Sequence, residues 1–363
     1  MKIKSVDVFA TDLPLAGEHR NAHARYSVSE DVYVRVETQD GARGYGATAP
    51  KYYITGETQD TAIAVLKKRL IPAVLGMDPF DLEKVHERMD QAIKGNTAAK
   101  AALDIALYDL MGKVLNIPVY QLLGGAYRLE MPAFDLIGLW EPEEAVRKVN
   151  QRMAEGYREF KVKVGSEPEA DLRRVEAVSR AAGGISLKID ANQEWTTKQA
   201  IRLIRRFYEM GVTVVEQPIH LDNIAGLAMI RSACPEVELM ADESLKSLGD
   251  AMLLARMAAV DLFNVKLLKA GGLFIAKKIA AVAEAAGIGC MAGGTIQNGL
   301  IDAATAHFMA STRNIVSNEI KSVQWIRNDL CSGLSIVGGM VRVPEGPGLG
   351  MEVDEDRLQK CLV

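Results

Sequence analysis

Residues 159–165, EFKVKVG, have the composition of a β-strand that ends at a glycine. Aromatic and β-branched residues, which strands favour, alternate here with Lys161 and Lys163. Because successive side chains of a strand point to opposite faces, the two lysines point the same way. The pattern predicts a buried strand that presents two ammonium groups to one charged site.

Apolar strand segments of this kind recur at a nearly fixed interval, with helical segments between them that often end in a glycine C-cap. Eight parallel strands that alternate with helices close most simply into a (β/α)8 barrel of the α/β class; an open doubly wound sheet is the alternative. The chain has no GxGxxG dinucleotide turn, which counts against the open sheet. The predicted strands span residues 133–139, 159–165, 185–192, 212–218, 237–244, 262–269, 287–294 and 314–320.

The barrel pattern is flanked by two regions of different character. Residues 1–126 are predicted to form an α+β region, in which antiparallel strands precede an amphipathic, alanine-rich helix at 97–115. Residues 127–325 hold the barrel, and residues 326–363 are predicted to return and pack on the first region.

Composition excludes several classes of function. The 363-residue chain has a net charge of -4 with both signs interspersed, so no basic surface for nucleic acid is indicated. The amino terminus lacks the apolar core of a signal peptide and no stretch is suited to span a bilayer, so we predict a cytoplasmic protein without a membrane partner. Four scattered cysteines without a CxxC pair indicate free thiols rather than disulfides or a zinc site.

Five ionisable residues stand at the carboxyl ends of five consecutive predicted strands, at intervals of 24 to 27 residues. They are Lys163, Asp190, Glu216, Asp242 and Lys266. A single strand-end carboxylate is more often a helix N-cap, and a single lysine there is as plausibly an ion-pair partner. Five such residues in the same relative position favour a catalytic site, because barrel enzymes carry their catalytic groups at strand carboxyl ends.

The three carboxylates predict a metal site. Asp190, Glu216 and Asp242 belong to neighbouring strands roughly 5 Å apart, so without a cation they would repel one another. A ligand set made only of oxygen suits Mg²⁺ or Mn²⁺ rather than zinc. Three protein ligands also leave coordination positions for water and a substrate.

The two strand-end lysines predict acid–base chemistry. Lys163 and Lys266 belong to strands four apart in an eight-strand ring, which places them on opposite sides of the carboxylates. Lys161 is a like charge beside Lys163, and it favours the neutral amine that a base needs; it is also a candidate to hold a substrate carboxylate. This arrangement indicates removal of a proton alpha to a carboxylate, with the metal and Lys161 stabilising the enediolate.

The motifs KVKVG, DANQEW, VEQP, ADES and VKLLKAGG resemble those of the enolase superfamily, specifically its muconate lactonizing enzyme subgroup, and the resemblance extends over essentially the whole chain. It implies Mg²⁺ and lysine chemistry. It also implies a modified (β/α)7β barrel under an α+β capping domain, built from the N-terminal region and the C-terminal segment. The loop that closes over substrate in that family corresponds to residues 15–29, and the resemblance implies a homo-oligomer.

Within the subgroup, YITGETQD, DANQEW and VKLLKAGG look most like dipeptide epimerases of the L-Ala-D/L-Glu type. Those enzymes hold the dipeptide ammonium with an Asp-x-Asp on strand eight, where this chain has Glu319 and Lys321. A lysine suits an ammonium poorly, and a strand-eight glutamate resembles muconate cycloisomerases. Arg20, Arg25 and Gln297 are further candidate substrate contacts, although solvated loop residues are the alternative.

Together these observations predict a Mg²⁺-dependent epimerase or racemase of a dipeptide or N-acyl amino acid, and hence a small-molecule carboxylate as substrate. A muconate-type cycloisomerase is the main alternative, followed by a dehydratase or an o-succinylbenzoate synthase. A catalytically inactive relative that serves as a binding protein is disfavoured, because such a protein has no physical need for two opposed lysines around three carboxylates.

Overall fold

An antiparallel sheet opens the N-terminal region. The computed structural model describes residues 1–20 and 25–363, without the side chains of residues 18–20 and 25. The sheet has the order β1-β2-β3, and much of the predicted loop at residues 15–29 belongs to the β1 and β2 strands. A π-helical stretch, Leu66–Leu70, joins α2 to α3. The elements are β1 (Ile3–Arg20), β2 (Arg25–Thr38), β3 (Arg43–Thr48), α1 (Tyr52–Thr55), α2 (Gln59–Val65), α3 (Ile71–Val74), α4 (Leu82–Ala92), α5 (Thr97–Leu115) and α6 (Val119–Leu122).

The central region is a nearly closed barrel of eight parallel strands, which confirms the predicted fold class. After β4 (Glu130–Pro132), the strands β5 to β12 neighbour one another in chain order, and each falls within a predicted segment. The strands are β5 (Phe134–Ile137), β6 (Glu159–Lys163), β7 (Leu187–Asp190), β8 (Val212–Glu216), β9 (Glu238–Ala241), β10 (Leu262–Lys266), β11 (Gly289–Gly293) and β12 (Ile315–Asn318). The helices are α7 (Pro142–Ala154), α8 (Pro168–Ala182), α9 (Thr197–Glu209), α10 (Ile224–Ala233), α11 (Leu248–Arg256), α12 (Leu267–Ala270), α13 (Leu273–Ala285), α14 (Gly299–Ala310) and α15 (Ser322–Trp325).

The C-terminal segment returns to the N-terminal sheet. The backbone N–H of Ala10 donates to Cys361 at 2.9 Å, and that of Val363 donates to Val8 at 3.0 Å. Arg35 of β2 also forms an ion pair with Glu355 at 2.9 Å. The last elements are β13 (Cys331–Ser332), β14 (Ser335–Val337), β15 (Met340–Arg342), β16 (Glu352–Val353) and α16 (Glu355–Gln359).

Helix α5 is buried on all sides, so the prediction of an amphipathic helix there is wrong. Every residue from 98 to 112 is buried, because the helix lies between the N-terminal sheet and the barrel. Two of its aspartates bind backbone N–H groups of other segments. Asp104 accepts from the N–H of Leu273 at the start of α13, and Asp109 accepts from Tyr45 of β3 and from Leu349, both at 2.8 Å.

We expect Gly46→Ala to destabilise the packing of β3 against α5. A Cβ at Gly46 would lie 2.1 Å from the carbonyl oxygen of Ala102 in α5, so sheet and helix would have to separate. The free energy of unfolding should fall by about 1–3 kcal/mol, measured by guanidinium denaturation. The matched control is Gly249→Ala, whose Cβ meets only Ser247 Oγ at 3.6 Å. Equal stability of the two variants would contradict this packing.

Cysteine state and membrane contact were further predictions from composition. All four cysteines are free, and Cys234 and Cys290 are buried. Within residues 1–20 and 25–363, no helix combines the length and apolar character needed to cross a membrane. Location in the cytoplasm and assembly into a homo-oligomer stay predictions.

Candidate active site

Strand register brings the predicted carboxylates together at the C-terminal mouth of the barrel. Lys163 is the ladder neighbour of Asp190, and Asp190 is the ladder neighbour of Glu216. Asp242 lies two residues beyond Met240, which is the neighbour of Glu216. Because side chains repeat every second residue, Asp242 points to the same side as Glu216. The three carboxylates therefore form a row across β7, β8 and the end of β9, and all three are buried.

A lysine binds each outer member of this row. Lys163 Nζ lies 2.5 Å from Asp190 Oδ2 and donates to Asn192 Oδ1 at 2.6 Å. Lys266 Nζ lies 2.5 Å from Asp242 Oδ2. Strands β6 and β10, which carry the two lysines, are four apart in the barrel. The two amines therefore lie on opposite flanks of Glu216.

Lys161 lies at the centre of the same cluster. Its Nζ donates to Glu216 Oε2 at 2.8 Å and to Glu319, and it lies 3.8 Å from Asp190. Burial alone would lower the pKa of Lys161, but Glu216, Glu319 and Asp190 together raise it well above its usual value. Lys161 is therefore a permanent cation beside the carboxylate row.

Glu216 and Asp242 differ in how well their negative charge is compensated. Burial and the nearby Asp190 raise the pKa of Glu216 to about 8, although Lys161 acts in the opposite direction. Burial would also raise the pKa of Asp242, but Lys266 and Lys269 outweigh it and lower that pKa. The central carboxylate of the row is thus short of positive charge.

The donor chemistry of this row fits a hard divalent cation. As the side chains stand in the described part of the chain, no three His, Cys, Asp or Glu residues are arranged to hold an ion, and lysines bind the outer carboxylates. However, burial and the neighbouring Asp190 raise the pKa of Glu216, and among the described residues Glu243 Oε2 is buried without a hydrogen-bond partner. Carboxylate oxygens are the ligands that Mg²⁺ and Mn²⁺ prefer.

A second set of side chains fixes the Asp242 loop, and sequence reasoning missed it. Gln217 has a left-handed backbone with φ of 34°. Its amide oxygen accepts from the backbone N–H groups of Asp242 at 3.0 Å and Ser244 at 3.1 Å. Lys269 is buried and lies 2.5 Å from Asp242 Oδ1. Both residues stand inside quoted motifs, VEQP and VKLLKAGG, but spacing alone does not reveal their partners.

Aromatic and apolar side chains form the walls of the pocket above the row. Tyr26 of β2 and Tyr53 of α1 reach it from the N-terminal region, and their ring centroids lie 6.3 Å apart. Trp140 after β5 and Trp325 of α15 line it from the barrel. These walls suit an organic substrate whose reacting end needs exclusion from water. They come from four separate segments, so no local sequence pattern groups them.

Of the remaining predicted substrate contacts, some line the pocket and others do not. Glu319 and Lys321, which follow β12, both line the pocket. Gln297 is absent from the described lining; its Nε2 donates to Asp302 Oδ1 at 2.6 Å. Asp302 in turn accepts from the backbone N–H of Lys321 at 2.9 Å, so Gln297 supports the strand-eight loop from behind. The side chains of Arg20 and Arg25 lie outside the described residues.

A parallel barrel with carboxylates on successive strands and lysines on both flanks defines an enzyme of the enolase-superfamily type. Family models agree: residues 5–124 match the mandelate racemase/muconate lactonizing enzyme N-terminal domain, and residues 144–357 match the enolase C-terminal domain-like family. The chain belongs to this family and is an isomerase of the enolase superfamily. Both were predicted from its motifs and are confirmed.

Three of the similar proteins illustrate matches over nearly the whole chain. The N-succinyl-L-Arg/Lys racemase of Bacillus cereus is 36% identical over 100% of this chain and 98% of its own, and its crystal structure superposes with a TM-score of 0.97. A dipeptide epimerase of Enterococcus faecalis, solved with Mg and L-Leu-L-Tyr, is 35% identical over 97% of this chain and 100% of its own, with a TM-score of 0.93. The chloromuconate cycloisomerase of Pseudomonas putida is 32% identical over 99% and 98%.

Proposed function

We propose that this protein racemises or epimerises an N-acylated amino acid, by exchanging the proton on the carbon next to the carboxylate. The observation that carries the proposal is the placement of Lys163 and Lys266 at opposite ends of one carboxylate row. Inversion at a carbon needs a group that removes the proton on one face and a group that delivers a proton on the other.

In this proposal the neutral amine of one lysine takes the α proton, and the ammonium of the other returns a proton to the opposite face. The reverse direction exchanges the two roles. Lys161 stays charged and faces the same volume, so it stabilises the negative charge that develops on the substrate carboxylate. Asn192, which accepts from Lys163, holds that amine in place.

Asp190, Glu216 and Asp242 would hold a divalent cation. When bound, Mg²⁺ supplies Lewis-acid stabilisation of the substrate carboxylate as charge builds up on it. The Mg-containing structure of the Enterococcus faecalis relative supports this assignment, as does the raised pKa of Glu216.

A muconate-type cycloisomerase is the second candidate. Glu319 lies beside Lys161 at strand eight, a position where a glutamate resembles cycloisomerases, and a chloromuconate cycloisomerase is among the relatives. Such an enzyme needs only one lysine to move a proton. The racemase is preferred because both lysines occupy equivalent positions against the carboxylate row.

Solvent exchange tests the proposed function. The protein with Mg²⁺ is incubated in D₂O with N-succinyl and N-acetyl amino acids, dipeptides and cis,cis-muconate, and the α-proton signal is followed by NMR. We expect deuterium at the α carbon of both enantiomers of an N-acyl amino acid, whichever enantiomer is supplied. The same substrates without protein are the control. Lactone formation from muconate, with no α exchange in any amino-acid derivative, would contradict the racemase.

A further inference from the structure

Within the described part of the chain, Lys321 is a buried cation that forms no ion pair. It is 6% exposed and lines the pocket. The other pocket lysines, Lys161, Lys163 and Lys266, each have a carboxylate oxygen within 2.8 Å. Among the described residues, the Lys321 ammonium has neither an ion pair nor a hydrogen-bond acceptor, and its contacts are aromatic rings. A charge in such a place is costly unless a ligand compensates it.

Two rings fix the position of this ammonium. Lys321 Nζ lies 5.3 Å from the ring centroid of Phe134 and 5.0 Å from that of Trp325. These distances allow cation–π attraction, which orders the side chain but leaves its hydrogen-bond donors unused. The backbone is also fixed, because Asp302 accepts from the N–H of Lys321 at 2.9 Å. The Lys321 ammonium is therefore held in a defined position, and it lines the pocket.

The neighbouring Glu319 is not available to a substrate cation. One of its carboxylate oxygens accepts from Lys161, and the other accepts from the N–H of Gly294 at 2.9 Å and from Asn264 at 3.4 Å. A dipeptide ammonium placed at strand eight would therefore meet Lys321 and not a free carboxylate. This arrangement repels a positive group and attracts a negative one.

We propose that Lys321 binds an anionic group at the distal end of the substrate, so that the substrate is an amino acid whose N-acyl group ends in a second carboxylate. The proposed substrate class is therefore an amino acid acylated by a dicarboxylic acid, rather than a free dipeptide. The substrate class deepens the proposed racemase function and rests on it, whereas the anion site itself does not require racemisation. Burial lowers the pKa of Lys321 to about 8, against the opposing effect of Glu319, so the ammonium form is present at neutral pH.

Equilibrium binding tests the anion site separately from catalysis. N-succinylglycine is achiral at the reacting carbon, so racemisation produces no net change during calorimetric titration. Its neutral isostere is N-succinamoylglycine, in which the distal carboxylate is a carboxamide. Both are titrated into the wild-type protein with Mg²⁺, into Lys321→Met, and into Lys198→Met, which changes an exposed lysine of α9.

We expect the wild type and Lys198→Met to bind the succinyl ligand roughly 30- to 100-fold more tightly than the amide, because the amide leaves the ammonium uncompensated. Lys321→Met should remove this preference and leave binding of the amide within about threefold. Equal weakening of both ligands, or no preference in the wild type, would overturn the anion site. Thermal unfolding checks the fold of the variant, and Lys321→Gln replaces it if the methionine variant aggregates.

Turnover separates the anion site from the proposed function. Deuterium exchange in N-succinyl amino acids that depends on Lys321 supports both. Lactone formation from muconate that depends on Lys321 supports the anion site but contradicts the racemase. Exchange that is equally fast with N-succinyl and N-succinamoyl substrates overturns the anion site and leaves the racemase in place.

Discussion

Lys163→Ala should lower the rate of racemisation of an N-acyl amino acid by at least about 1,000-fold, because it removes one of the two groups that exchange the α proton. KM should change little, since Lys161 and the carboxylate row remain in place to bind the substrate. The measurement is kcat by polarimetry, combined with α-deuterium incorporation by NMR for each enantiomer supplied separately.

The α-proton exchange that remains in each lysine variant tests the two-base assignment more directly than the loss of rate does. Lys163→Ala and Lys266→Ala should both fail to racemise, yet each should still exchange the α proton of one enantiomer, and the two variants should differ in which enantiomer that is. Lys198→Ala, an exposed change on α9, is the matched control and should retain full activity. Full racemisation by Lys163→Ala, or exchange of the same enantiomer by both lysine variants, would contradict the two-base assignment.

Removal of divalent cations should have an effect of similar size. Treatment with a chelator should lower kcat by at least about 1,000-fold, and added Mg²⁺ should restore it, because the proton next to a carboxylate is too weakly acidic without charge stabilisation. Mg²⁺ should also raise the melting temperature of the chelator-treated protein by about 3 °C, since it compensates the Glu216 charge.

Two variants locate the ion. Glu216→Gln should reduce both the affinity for Mg²⁺ in calorimetry and the stabilisation by Mg²⁺, whereas Glu209→Gln, at an exposed position of α9, should leave both unchanged. Mg²⁺ binding that is identical in the two variants would contradict a site on the carboxylate row.

The barrel and the position of its candidate site could be predicted from the sequence because both depend on short-range periodicity. Alternation within EFKVKVG places Lys161 and Lys163 on one face, and each of them bonds to or lies near Asp190. The repeat of one strand and one helix places Asp190 and Glu216 side by side. Neither inference needs knowledge of distant contacts.

The features that sequence reasoning missed depend on contacts between distant segments. Helix α5 contains Lys100, Asp104 and Asp109, and charged residues of this kind suggest a solvated helix face. All three are nevertheless buried, and each has a partner in another segment of the chain. Gln297 resembles a pocket residue by position, but its amide turns to Asp302. The local pattern gives the identity of a polar group, while its partner is set by tertiary structure.

The buried polar contacts of α5 have a consequence for folding. Asp104 binds the start of α13 in the barrel, and Asp109 binds both the N-terminal sheet and Leu349 of the C-terminal segment. If these parts separated, the buried carboxylates of Asp104 and Asp109 would lose their hydrogen-bond donors, and each lost donor costs free energy. The capping and catalytic parts of the chain are therefore expected to melt in a single cooperative transition.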